Sequence, residues 1–175
     1  MVKSEPDIAD AVARLCPNCG LCCNGGLFDD VELQRGDNAE KLLDAGVELF
    51  QKRRKTAFAQ PCACFDGRLC RIYADRPKRC AAFDCGLLRR VQDGELTAAV
   101  ALKQIRTAKR LVDKVTGLVR SLGNQDETQP LNKRYRAILA QGIDLSARAA
   151  DIRKRSQLLR AVAKLAGQLE RDFLK

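Results

Sequence analysis

Nine cysteines and no histidine set the terms on which this 175-residue chain can fold. Four cysteines fall in one run, Cys16-Pro17-Asn18-Cys19-Gly20-Leu21-Cys22-Cys23, and five follow at Cys62, Cys64, Cys70, Cys80 and Cys85. The last 90 residues hold none. Thiols packed into a 70-residue window are there for their chemistry, which leaves disulfides, metal binding or redox catalysis. Disulfides are disfavoured. Met1 to Asp10 carries Glu5, Asp7 and Asp10 and no apolar core, unlike a secretory signal, so a reducing cytoplasm is expected. An odd count also strands one thiol, and the adjacent Cys22 and Cys23 could pair only through a strained ring.

Metal binding suits the spacing. A C-x2-C step puts two sulfurs on one turn at the separation a tetrahedral metal requires. Pro17 fixes φ and Gly20 permits a positive φ, so the segment reads as a ligand loop whose free N–H groups can point at thiolates. The run Cys16-x2-Cys19-x2-Cys22 offers three corners from one loop, the layout of bacterial ferredoxin loops, whereas zinc sites more often take two ligands from each of two knuckles. Without histidine, mixed Cys/His zinc sites are excluded. All-cysteine zinc and iron–sulfur both remain open.

The first run, followed by Cys64-Phe65-x4-Cys70-x-Ile72-Tyr73-x2-Arg76-Pro77-x2-Cys80-x2-Phe83-x-Cys85, resembles the YkgJ-type cysteine-cluster family, also called the CxxCxxCC zinc- or iron-chelating domain. The resemblance covers about residues 14 to 88. It implies eight metal ligands, Cys16, Cys19, Cys22, Cys23, Cys64, Cys70, Cys80 and Cys85, with Cys62 as the spare ninth. Some larger relatives are similar to flagellin lysine N-methylases, which adds a cluster-dependent methyltransferase as an alternative activity.

The residues around the second block read as scaffold. Arg76-Pro77 reads as the start of a helix running to about Arg90, with Asp75 as its N-cap. On such a helix Cys80 and Cys85 would point about 140° apart, so sharing a metal would need a bend or an early end at Gly86. Arg71, Arg76 and Arg79 are candidate neighbours for thiolate charge, and Tyr73 and Phe83 are expected to pack around the cluster. Asp29, Asp30, Asp66 and Asp84 are expected in caps and turns, with second-sphere work as their sharper role. Between the two blocks, Val31 to Leu33 suggests a short element. Leu42, Leu43, Val47, Leu49 and Phe50 predict a helix from Asn38 to Phe50 ending in the basic run Lys52-Arg53-Arg54-Lys55.

The C-terminal half is helical in pattern. Ala98, Ala101, Ile105, Ala108, Val112, Val115, Val119 and Leu122 recur at alternating gaps of three and four. A polar loop over Gly123 to Pro130 follows, then a short helix from Leu131 to Ala140. A second long helix is expected from Leu145 to Phe173, with Leu145, Ala149, Ile152, Leu159, Val162, Ala166, Leu169 and Phe173 on its apolar side, and Leu158 and Leu165 widening it. The expected fold is therefore mainly α. A small Cys-rich metal-binding part (1–92) of irregular loops and short helices precedes a long antiparallel helical hairpin (93–175).

Charge divides in the same place. Residues 1–90 carry 15 Lys+Arg against 13 Asp+Glu, and residues 91–175 carry 17 against 9. Lys103, Arg106, Lys109, Arg110 and Lys114 lie off the apolar seam, as do Arg153, Lys154, Arg155 and Arg160. The basic half is thus expected to suit an acidic protein or nucleic acid. No apolar run approaches 20 residues, so no membrane span is expected. With no histidine base, no nucleophile motif and no Gly-rich phosphate loop, catalysis by side chains alone is poorly supported. The expected function is a cytoplasmic metal-binding protein, structural or a carrier of metal or electrons. Its cofactor would be zinc or iron, an iron–sulfur cluster included.

Overall fold

The computed structural model describes residues 13–142 and 148–175. The acidic segment Met1 to Asp10 and the expected helix position Leu145 lie outside them. Helix α1 covers residues 13–19 and ends at Gly20, whose φ of +69° favours a residue without a side chain. Two further turns follow, with the amides of Cys23 and Asn24 both donating to the Gly20 carbonyl at 2.9 Å. Cys16 and Cys19 therefore sit three residues apart on a helix, where a loop was expected. That spacing still places both on one helix face.

A three-stranded antiparallel sheet comes next, in the order β1-β3-β2 (Asp30–Glu32, Lys55–Ala59, Leu49–Lys52). The expected helix from Asn38 to Phe50 is corrected here. Asn38 does cap a helix, its side chain accepting from the Lys41 amide at 2.9 Å, but α2 (Ala39–Asp44) ends before Gly46, at φ +84°. Leu49 and Phe50 belong to β2, with Leu49 opposite Phe58. The apolar spacing ran across a helix stop, and the strand took over its last two members. The basic run is the tight turn of the β2–β3 hairpin, with Arg53 at φ +58°. Lys52 pairs with Asp30 at 2.7 Å and Lys55 with Glu32 at 2.8 Å, so half of this basic run is spent on β1.

The single helix expected up to Arg90 is two helices, α3 (Lys78–Ala81) and α4 (Gly86–Gln92), separated by four residues. Pro77 is the N-cap position of α3, and the cap comes from outside: the Lys78 amide donates to Asp37 at 3.0 Å. Asp75 instead closes a 3₁₀ turn, Tyr73–Asp75, and pairs with Lys41 at 2.7 Å. Cys85 caps α4, its sulfur accepting from the Leu88 amide at 3.4 Å. Gly86 is required at this break for a different reason. A Cβ there would fall 2.6 Å from the carbonyl carbon of Lys175.

Three longer helices complete the chain: α5 (Ala98–Ser121), α6 (Leu131–Ala140) and α7 (Ala149–Leu169), the last running into a π turn over Glu170–Leu174. Thr97 caps α5. Ala101, Ile105, Ala108, Val115 and Val119 of the predicted seam are all buried. On α7 the buried face is Leu158, Ala161, Leu165, Gln168 and Leu169; of the expected stripe Leu169 and, in the π turn, Phe173 are buried, while the earlier part is one residue round and Leu159 is 59% exposed. The residues thought to widen the stripe are its centre. Gln168 donates to the Gln104 carbonyl at 3.1 Å, which sets the last turns of α7 beside the first turns of α5. Arg134, itself buried, holds the loop before α6 by donating to the side chain and carbonyl of Asn124, each at 3.1 Å.

Two apolar cores result. The larger joins Leu15 and Leu21 to Leu87, Leu88 and Val91 of α4 and to the buried faces of α5, α6 and α7. The smaller gathers Leu42, Val47, Phe58 and Cys64 beneath the sheet. The fold is thus mainly α with one small sheet, and no helix among the described residues is long and apolar enough to cross a membrane. The rotated α7 face gives a direct check. Leu158→Ala is expected to lower unfolding free energy by about 2–5 kcal/mol, and Leu159→Ala by less than about 0.5 kcal/mol, in urea titrations of the two variants.

Candidate metal centre

Cysteines from three separate stretches meet where the two cores adjoin. α1 and the turns after it supply Cys16, Cys19, Cys22 and Cys23. The segment after β3 supplies Cys62, Cys64 and Cys70, and α3 with the cap of α4 supplies Cys80 and Cys85. The backbone ties the first stretch to the second, since the Cys62 amide donates to the Cys23 carbonyl at 2.9 Å. All nine are free thiols. Cys19 and Cys85 pack against the larger core; Cys62, Cys70 and Cys80 pack against the smaller. Cys64 stands apart in being fully buried within that smaller core, its thiol 4.0 Å from the Ala45 carbonyl.

Backbone groups act on several sulfurs. The Leu88 amide donates to the Cys85 sulfur, and the backbone at Leu21, Cys64 and Ile72 favours the thiolates of Cys19, Cys62 and Cys70, in each case two residues ahead. Donors of this kind stabilise a thiolate and fix its direction. Against them stands burial, the largest influence on most of these groups. It pushes Cys16 and Cys62 up to about 11 and Cys19 and Cys80 up to about 12, and it raises Cys70 and Cys85 as well. Neighbouring thiols add to the rise. The sulfurs of Cys22 and Cys23 lie 3.6 Å apart and share a hydrogen bond. That bond lowers Cys22 and raises Cys23, since the first thiolate formed is held by the proton left on its neighbour.

Of the arginines singled out in the sequence, Arg76 is the one that acts on the thiols. Its charge favours the thiolate at Cys16, Cys22, Cys70 and Cys80, and its guanidinium lies 4.0 Å over the Tyr73 ring. Tyr73 is exposed, so its expected packing role is corrected: it supports Arg76 from the solvent side. Phe83 meets Phe28 edge-on at 4.9 Å. Arg71 holds the loop by donating to the Ala63 carbonyl at 2.8 Å, and Arg79 lies 3.6 Å from Glu32. Asp66 accepts from the amides of Arg68 and Leu69 in a turn, as expected of it, and Asp29 is bound to Asn132. Asp84 raises Cys16 and Cys85 by like charge.

A bound metal fits the donor set. Cysteine is the one soft ligand type available, the thiols come with amide donors and a nearby cation, and their raised proton affinities leave them to be deprotonated by a metal rather than by water. No three cysteine, aspartate or glutamate side chains among the described residues are already set in a chelating arrangement. Residues 15–101 match the family model described as the CxxCxxCC putative zinc- or iron-chelating domain. No curated protein and no solved structure matches the chain.

Gly20 is the hinge of this arrangement, because a Cβ there would lie 2.5 Å from the Phe65 ring. Gly46 has a similar φ with open space around it. Both alanine variants would bear the left-handed strain of about 1–2 kcal/mol, but Gly20→Ala is expected to lose about 1–3 kcal/mol more in thermal unfolding. The thiols also set a pH dependence. Seven of them have folded pKa values raised above the ordinary 9.0, which means the fold favours their protonated form. That contribution is complete below pH 9 and is lost as pH climbs through about 11 to about 12. Cys22 alone has the opposite sign. Metal-free protein is therefore expected to unfold progressively above pH 9, by circular dichroism, and metal-loaded protein to resist.

Proposed function

We propose that the cysteine cluster of residues 15–101, the stretch that matches the CxxCxxCC family model, holds zinc or iron through thiolate sulfur alone, as a structural centre or as a carrier of metal or electrons. The observation that carries this reading is the gathering of thiols from three stretches of chain against the two cores, with the Leu88 amide donating to Cys85. The chain contains no histidine, so imidazole cannot enter the ligand set. A metal held here would join α1, the loop after β3 and α3 by bonds far stronger than the packing of two small cores supplies.

What the chain itself does for such a centre is physical. The Leu88 amide orients the Cys85 sulfur, the backbone at Leu21, Cys64 and Ile72 favours thiolates, Arg76 offsets negative charge, and the apolar residues beneath limit water. The metal, when bound, supplies Lewis acidity or, for iron, a redox couple. The positive charge of the helical half faces solvent at Lys103, Arg106, Arg110 and Lys114 of α5, which suits an acidic partner for a carrier.

Protein purified without oxygen is expected to retain zinc or iron by elemental analysis. A brown solution with labile sulfide would identify an iron–sulfur centre, and a colourless one holding zinc a plain thiolate site. Neither metal, even after reconstitution of reduced protein, would overturn the reading. Because binding displaces protons from thiols of raised pKa, metal affinity is expected to fall steeply as pH is lowered from 8 to 6, in competition with a chelator.

A further inference from the structure

Helix α7 is apolar over a wider arc than its own core uses. Leu158, Ala161 and Leu165 face inward. At about 100° per residue, Ile152, Leu159, Ala163 and Ala166 fall within about 60° of one another on the adjoining arc. Leu159, Ala163 and Ala166 are exposed and Ile152 is partly so, with Leu159 left 59% open. Val162, packed in part against the larger core, joins this strip to the buried face. From Ile152 to Ala166 the strip runs about 21 Å at 1.5 Å per residue.

Next round the helix come Arg153, Arg160 and Lys164, stacked in one row by their spacing of seven and four. All three are exposed. None pairs with a carboxylate among the described residues, where Asp151 goes to Arg148 at 3.1 Å and to Lys154 at 3.8 Å. Helix α6 lies alongside. Gln141, at its end, accepts from Arg155, and its first turn meets the last turns of α7 around a hollow of about 310 Å³ lined by Leu27, Tyr135, Ala166, Leu169 and Leu174. The two helices are therefore antiparallel neighbours. Tyr135 and Leu139, one turn apart and each only partly buried, stand on the α6 side. The carboxylates at the hollow are engaged, Asp29 with Asn132 and Glu170 with Lys175 at 3.0 Å.

We propose that this groove docks an acidic amphipathic helix of a partner protein, its apolar side chains on the strip and in the hollow and its carboxylates along Arg153, Arg160 and Lys164. An exposed apolar strip edged by a row of charge is what helix-in-groove recognition requires. Nucleic acid would use the cations and gain nothing from Leu159. A second copy is opposed by charge, because the chain carries a net +10 and two such faces would bring like charges together. Docking here does not depend on metal in the cysteine cluster, since neither the strip nor its basic row contains a cysteine.

The test uses the full chain and a fluorescein-labelled helical peptide of about 18 residues, with leucines at i, i+4, i+7 and i+11 edged by glutamate. A twin peptide carries lysine in place of glutamate. Fluorescence anisotropy is expected to show saturable binding of the glutamate peptide and none of the twin. Leu159→Asp and the double variant Arg160→Glu/Lys164→Glu are each expected to weaken binding by about tenfold or more. Leu43→Asp, which alters a leucine 54% exposed on α2, is expected to leave it unchanged. Circular dichroism on the same samples confirms that each variant keeps its helices. Absence of binding, or binding that Leu159→Asp and the double variant leave untouched, would overturn the proposal. A wild-type dimer that Leu159→Asp splits into monomers in sedimentation would seat a second copy in the groove and overturn it too. So would an oligonucleotide of about 12 nucleotides whose binding is lost in the double variant but kept in Leu159→Asp, since the basic row would then belong to phosphate.

Discussion

Gly20 and the short turns after it turn the chain back along the larger apolar core, and the cysteine chemistry depends on that passage. Leu15 and Leu21, 3% and 1% exposed, anchor the passage in the larger core on either side of Cys16 and Cys19. Phe65 closes over Gly20 and brings the second cysteine segment against the first, while the Cys62 amide binds the Cys23 carbonyl. Two cores of unequal size thus meet along a line of thiols. Packing alone would leave the smaller one marginal, since four buried side chains bury little apolar area. Thiolates bonded to a common metal would supply what packing there lacks.

The electrostatics of that line favour a cation. Buried thiols hold their protons firmly, and each thiolate formed makes the next harder to form. Arg76 eases this at four cysteines but is a single charge. A divalent ion changes the balance, because it bonds the sulfur directly and adds charge where the protons leave. The same field lowers Cys22, which shares the Cys23 hydrogen bond and feels the charge of Arg76.

Much of this was legible in the sequence, and the misses have physical causes. The seam of α5 was readable because alanine and β-branched residues at strict gaps of three and four leave one face to bury. On α7 apolar residues populate two adjacent stripes, Leu158, Ala161 and Leu165 beside Leu159, Val162 and Ala166, so periodicity alone could not rank them. The helix expected through Val47 to Phe50 failed at Gly46, whose positive φ ends α2. The short apolar run that follows fits a strand as well as a helix. The α3–α4 break left the faint signal of an Asp-Cys-Gly sequence, with the remote Asp37 cap invisible at sequence level. Gly20 was foreseen as a positive-φ residue, while the ring of Phe65 against it was not. Spacing also gave no sign that Cys64 is fully buried and Cys62, two residues earlier, only partly so.

The central claim is that sulfur alone surrounds the metal. X-ray absorption at the edge of the metal retained by purified protein tests it most directly. The account predicts four sulfur neighbours at about 2.3 Å and no lighter atom in the first shell. Nitrogen or oxygen at about 2.0–2.2 Å, or fewer than four sulfurs per metal, would contradict it.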